Sequence, residues 1–311
     1  MPAHKPLRNT QYGLPLRIAY CVFSLLASGC FPITRPVLKI ALVAPFEGRY
    51  RDVGYEVTFA YRLAIREVNQ AGGVGGYSIE MLSLDDSGDP DMAGEQARKI
   101  IADPQVMAVI GHWMEATTRA AAPLYDAAGI PLVAVGATAD LPASAFRLWL
   151  TESDYASALS PLPHCPLPCD SLEDLTWLAA HPRAAGPVTW QQPQFASLAG
   201  EGAEGVSVIA PAPLPADSGD PGLADRYRPM AFGSEPRSNA VLAYDATRLI
   251  FDAIARAAAA NKTATRSGVA EALAESRFSG LSGRMSFDSH HNWDGVTPWV
   301  YVWRNGALAP R

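Results

Sequence analysis

From residue 38 to residue 150, short apolar runs alternate with amphipathic stretches almost without interruption, and that order limits the chain to few architectures. LKIALVA (38–44) has the length and continuity of a strand buried on both faces of a parallel sheet. Val53 to Asn69 follows, with Val57, Ala60, Tyr61, Ala64, Ile65 and Val68 at helical spacing. AGGVGG (71–76) stops that helix. Tyr77 to Leu84 reads as a second strand. Asp89 and Pro90 then open a helix that runs to about Ala102, Asp as the cap and Pro at a position whose N–H has no helical partner. VMAVIG (106–111), a helix over Thr117 to Ala128, and IPLVAVG (130–136) complete the series. Strands joined by crossover helices predict an α/β fold with a doubly wound parallel sheet. Ligands of such sheets sit at the carboxyl ends of the strands.

These same residues resemble a known family. KIALVAPFEGRYRDVGYE, AIREVNQAGGVGG, LDDSGDPDMAGEQARKII and VIGHWMEATTRAAAPLYDAAGIPLVAVGATA are similar to the first lobe of type I periplasmic solute-binding proteins, in the leucine/isoleucine/valine-binding branch. LAGEGAEGV (198–206), NAVLAYDATRLIFDAI (239–254) and FSGLSGRMSFDSHHNWDG (278–295) resemble later segments in the same order. The resemblance implies two lobes, ligand capture between them, and delivery to the permease and ATPase subunits of an ABC transporter.

The N-terminus bears on the compartment. Arg17 precedes the apolar run IAYCVFSLLASG (18–29), which is too short to span a bilayer and reads as the core of a signal peptide. Ala27-Ser28-Gly29-Cys30 resembles a lipobox, with Leu26 one place before the usual leucine position. It implies a lipid-modified Cys30 and an anchor on the outer face of a bacterial membrane; an ordinary secretory signal cut nearby is the alternative. The net charge of −6 without a basic stripe argues against a nucleic-acid partner. Of four cysteines, Cys21 leaves with the signal and Cys30 takes lipid. Cys165 and Cys169 could form a short-loop disulfide of little stabilising value or remain free thiols. With only His164 nearby, they are too few ligands for a closed zinc site.

After FRLWLT (146–151) the pattern breaks. SALSPLPHCPLPCDSLEDLTWLAAHPRAAGPV (157–188) is dense in proline, and only Ser171 to Ala180 within it reads as a helix. The expected organisation is a signal peptide over 1–29, a tether over 30–37, a first lobe over 38–150, a reduced second lobe over 151–280, and crossing strands over 281–311. Surviving second-lobe elements are strands near Val188–Trp190 and over VSVIA (206–210), and a long helix over about Ser238 to Ala260, which is able to return to the first lobe. A helix over Ser267 to Ser276 and strands near Arg284–Phe287 and Trp299–Trp303 follow.

No catalytic set, metal site or cofactor is expected. GEGAEG (200–205) has a helix before it and a strand after it, the reverse of a dinucleotide site. GGVGG (72–76) follows a helix and is a turn. Asp85, Asp86, Asp89 and Asp91 lack the spacing of a calcium loop and suit a helix start. His290 and His291 lie in a polar turn. There is no G-x-S-x-G elbow and no H-E-x-x-H.

The binding candidates follow two first-lobe strands. Trp113, Met114, Glu115, Ala116, Thr117 and Thr118 lead from VMAVIG into a helix; hydroxyls and amides there suit a carboxylate, Glu115 an ammonium, Trp113 an apolar side chain. Gly136, Ala137 and Thr138 follow IPLVAV. In the resembled amino-acid binders these two loops hold the ligand's charged groups. The resemblance adds Trp190 and Gln191 from the second lobe, and sets Val53 where relatives often carry an aromatic. The expected function is a lipid-anchored substrate-binding protein for branched-chain or related amino acids or amides. A sensor or scaffold without transport is the first alternative, favoured by the short second lobe, and a secreted hydrolase the second.

Overall fold

The computed structural model describes residues 35–311 except 139, 161, 163–177, 179, 180 and 182. The signal segment, Cys30, both loop cysteines and the helix expected over Ser171 to Ala180 lie wholly or largely outside the described residues. Residues 36–311 cluster as one compact unit.

The first sheet has five strands: β1 (Val37–Ala44), β2 (Ser78–Asp85), β3 (Val106–Gly111), β4 (Leu132–Ala134) and β5 (Ala145–Arg147). Their spatial order is β2-β1-β3-β4-β5, all parallel, as the alternating pattern requires. The intervening helices are α1 (Arg51–Gln70), α2 (Pro90–Ala102) and α3 (Glu115–Ala127). Side chains alternate along β1: Ile40 and Leu42 pack with Val57 and Tyr61 of α1, whereas Ala41 and Val43 pack with Ala97 of α2 and Tyr125 of α3. The sheet is thus covered on both faces, which is why its strands read as unbroken apolar runs. Asn69 closes the α1 end by accepting from Ile79 N at 2.9 Å and donating to Ile79 O at 2.8 Å. Gly73 then turns with φ +83°, where a Cβ would lie 2.0 Å from Tyr77 O. At the start of α2, Asp89 accepts from Met92 N at 2.9 Å, as the Asp-Pro pair predicts.

The helix α4 (Glu152–Leu159), absent from the sequence reading, begins with a capping box in which Thr151 and Asp154 bond reciprocally. The second sheet is smaller: β6 (Ala185–Gly186), β7 (Ser207–Ala210), β10 (Trp299–Arg304) and β11 (Ala307–Pro310), in the order β11-β10-β7-β6. The strand expected near Val188–Trp190 is instead a single 3₁₀ turn over Val188–Gln191. Pro187 has no N–H for a ladder, and Trp190 N turns back to donate to Pro187 O at 3.0 Å. α5 (Pro193–Ala199) comes next, so GEGAEG does lie between a helix and a strand. α6 (Leu223–Tyr227) leads to α7 (Ser238–Asn261) and α8 (Arg266–Ala274). α7 returns to the first lobe and packs on α1, where Tyr244 OH donates to Glu67 Oε2 at 2.5 Å. β8 (Phe278–Gly280) and β9 (Gly283–Met285) form a hairpin over α7. Beyond it, Arg147 N donates to His291 O at 2.8 Å, and Trp293 N donates to Arg147 O at 3.0 Å. The chain thus touches the edge of the first sheet before it re-enters the second.

Candidate functional site

The loops after β3 and β4 meet. Gly136 has φ +91°, and a Cβ there would stand 2.4 Å from Trp113 O, so only glycine lets the two backbones approach this closely. Val135 N donates to Gly111 O at 3.2 Å. Glu115, first residue of α3, reaches across: its Oε2 accepts from Thr138 N at 2.7 Å and from Thr138 Oγ1 at 3.2 Å. Both residues were expected at a ligand, and the fold places them against each other.

The two threonines of α3 are turned inward. Thr117 Oγ1 donates to Met114 O at 3.0 Å, and Thr118 Oγ1 lies 2.9 Å from Met114 O and 3.0 Å from His112 O. Both are fully buried. A threonine near a helix start can bond back to a carbonyl of the preceding turn, and both hydroxyls expected at an anion do so here. Trp113 is buried with its Nε1 bonded to no other described group. Ala137 is fully buried beside Gly136.

Beneath the loops lies a pair that sequence reasoning missed. His112 Nδ1 faces Asp86 Oδ2 at 2.7 Å, with both side chains fully buried, and His112 Nε2 is 3.4 Å from Tyr125 OH. Burial, followed by the Asp86 charge, pushes the Tyr125 hydroxyl well above its ordinary range. Asp86 also accepts from Gly88 N at 3.0 Å. The aspartate cluster after β2 is thus structural: Asp85 accepts from Phe46 N at 2.7 Å and from Ser87 N at 2.8 Å. Burial opposes the Asp85 charge, but these bonds hold its carboxyl below the usual range. Among the described residues no group of metal-ligating side chains is assembled. His291 stacks on Phe146 with ring centroids 4.3 Å apart. The one signal for the buried pair was a histidine closing an otherwise apolar strand, VIGH.

Arg147, at the end of β5, is also buried. Burial draws its pKa down, and the charges of Glu115, Asp140, Asp288 and Asp154 oppose that. Glu115 therefore sits between the Thr138 donors and the field of a buried guanidinium.

The second-lobe candidates turn away. Trp190 is fully buried, stacked on Phe195 at 5.0 Å, and its carbonyl accepts from Trp303 Nε1 at 2.9 Å. Gln191 donates to Ser238 Oγ at 3.0 Å and accepts from Ser238 N at 3.2 Å. One therefore packs a core and the other caps α7. The next residue, Gln192, donates to Glu56 Oε2 at 2.6 Å, while Glu56 Oε1 accepts from Arg237 N and Ala240 N, each at 2.9 Å. Glu56 is buried, and burial raises its pKa against the pull of Arg237 and these bonds. Val53, one turn earlier, is buried in the core.

Residues 37–162 match the family model described as periplasmic binding protein. The leucine-, isoleucine-, valine-, threonine- and alanine-binding protein of Pseudomonas aeruginosa is 29% identical over 120 residues, 39% of this chain and 32% of its own length. The Leu/Ile/Val-binding protein of Escherichia coli is 29% identical over 125 residues, 40% of this chain and 34% of its own length. The matched segment thus spans about a third of these curated relatives, which are by name binding proteins. Among solved structures, the branched-chain amino acid transporter substrate-binding protein of Streptococcus pneumoniae in complex with isoleucine superposes with a TM-score of 0.72 at 20% identity, over 88% of this chain and 97% of that one. A leucine-binding protein of Thermotoga maritima gives 0.72 at 18% identity, over the same shares. The chain therefore has the type I periplasmic-binding-protein fold, and its residues 37–162 are similar to the periplasmic binding protein family.

Proposed function

We propose that this chain is the extracytoplasmic substrate-binding component of an ABC transporter, anchored through a lipidated Cys30, and that it captures a small amino-acid-like solute at the β3 and β4 loops. One observation carries the reading: loops at the carboxyl ends of adjacent parallel strands are locked together by Gly136 and by the Glu115–Thr138 bonds. Around that junction the chemistry is mixed. Glu115 supplies a carboxylate for an ammonium group. Trp113 Nε1 is a buried donor that a ligand carbonyl or carboxylate satisfies. Thr117 and Thr118 fix the turn, and Thr138 orients Glu115. The named relatives bind branched-chain and small amino acids, which favours a ligand of that class. Permease and ATPase subunits are the partners such a role requires.

With Trp190 and Gln191 turned inward, the second lobe adds fewer contacts than the sequence reading assumed, and affinity falls toward the micromolar range. Calorimetry against amino acids and short amides tests this, with Glu115→Gln expected to weaken any ammonium-bearing ligand. The small second sheet favours one other reading, a sensor or scaffold without transport. Small-angle scattering separates the two: compaction on adding ligand supports the transporter role, and an unchanged radius supports the scaffold.

A further inference from the structure

Away from the β3 and β4 loops, the N-terminal half of α1 and the segment after α6 line a half-open cavity of about 360 Å³. It shares no lining residue with Trp113–Thr118 or Gly136–Thr138. Four aromatic residues line it: Tyr55 and Phe59 from α1, Tyr227 from α6, and Phe232 from the loop beyond. Phe59 is the common wall. Tyr227 stands at 85° to it with centroids 6.2 Å apart, and Phe232 at 75° and 5.9 Å. Tyr55 stacks along the helix at 6.5 Å. Rings nearly perpendicular about one space give it walls in several orientations, so a compact group inside meets π-systems from several directions.

Phe232 is not there for the core. It is 91% exposed, and its φ of +53° is one that bulky residues rarely adopt. The fold forgoes the burial a phenylalanine normally supplies and holds the ring over the cavity instead.

The polar lining is acidic. Asp52, Glu56 and Glu235 line it together with one guanidinium, Arg237, a formal excess of two negative charges. Arg51, 4.0 Å from Asp52, and Arg228, shared between Glu235 at 2.8 Å and Asp225 at 2.6 Å, leave the excess at one when all three are added. Both Glu56 oxygens are engaged by Gln192, Arg237 N and Ala240 N, so that carboxyl is a fixed floor. Aromatic walls and a negative rim suit a positive group that makes few hydrogen bonds.

We propose that this cavity binds a compact organic cation, an alkylated ammonium group, seated among Phe59, Tyr227 and Phe232 with Asp52 and Glu235 at the rim. Such a ligand touches α1 of the first lobe and the segment leading into α7 together. It is a separate site from the β3 and β4 loops and does not depend on the reading given above.

Calorimetric titration of the signal-free chain with tetramethylammonium and with choline at low salt tests the proposal, with 3,3-dimethylbutanol as the uncharged counterpart of choline. Saturable binding of both cations at one site is expected, with the alcohol weaker by about tenfold. Phe232→Leu keeps apolar bulk and removes the π face; it is expected to weaken the cations by about three- to tenfold, and Phe232→Tyr to leave them within about twofold. Since the side chain is exposed, both variants are expected to melt with the parent. Equal binding of alcohol and choline, unchanged cation affinity in Phe232→Leu, or no saturable binding of either cation overturns the proposal.

Discussion

Glu115 accepts both the backbone N–H of Thr138, at 2.7 Å, and its hydroxyl, at 3.2 Å, so two loops that follow different strands share one carboxylate. Its charge is fixed in place rather than mobile at the surface. Glu115→Gln keeps an acceptor toward Thr138 and removes the charge. An ammonium-bearing ligand is expected to lose about 1.5–3 kcal/mol of affinity, a tenfold weakening or more. Calorimetry on parent and variant measures this directly, and equal affinities mean that Glu115 does not meet the ammonium.

Glu56 joins three parts of the molecule: α1 that carries it, Gln192 of the second lobe, and the first turn of α7. α7 has no cap from its own N-cap side chain, so Glu56 and Gln191 serve instead. Glu56→Ala strands two N–H groups and the Gln192 amide. A loss of about 2–4 kcal/mol is expected in urea unfolding, with Glu56→Gln much milder. A loss below about 0.5 kcal/mol in the alanine variant contradicts the capping role.

Asp245 on α7 is fully buried and accepts from Leu281 N at 2.9 Å and Ser282 N at 2.7 Å, pinning the β8–β9 hairpin. Burial pushes its pKa up to about 6 despite those bonds. Folding favours the protonated form, so this group's contribution is fully present below about pH 4 and is lost as the pH rises through about 6. The change is at most about 3 kcal/mol. The unfolding free energy of the parent relative to Asp245→Asn is expected to fall between pH 4 and pH 7. A flat difference across that window places the titration elsewhere.

The first lobe was legible because its physics is periodic. Buried parallel strands need continuous apolar runs and covering helices need one apolar stripe, so LKIALVA, VMAVIG and the Val53–Asn69 stripe announce themselves. Asp89-Pro90 marked a helix start to the residue. Side-chain direction was less legible. Thr117 and Thr118 have the chemistry of anion binders, and spacing alone does not reveal that their hydroxyls bend back to Met114 O. Trp190 reads as a pocket residue until Phe195 and Trp303 are seen around it. Glu56 carries no local signal, because its partners lie 136 to 184 residues away. The strand expected near Val188 failed for a local reason, the missing N–H of Pro187.

The lipid anchor proposed at Cys30 is testable in cells. Cys30→Ser is expected to move the protein from the membrane fraction to the soluble extracytoplasmic fraction on fractionation. Equal membrane association of variant and parent contradicts lipidation there.

The proposed small amino-acid-like ligand is held where the β3 and β4 loops meet. Thr138→Val keeps the shape of the side chain and removes one donor to Glu115. Titration calorimetry of parent and Thr138→Val against a panel of amino acids and short amides tests the claim most directly. Micromolar binding of at least one amino acid by the parent and about fivefold or greater weakening in the variant are expected. Unchanged affinity in the variant, or no binding by the parent across the panel, contradicts it.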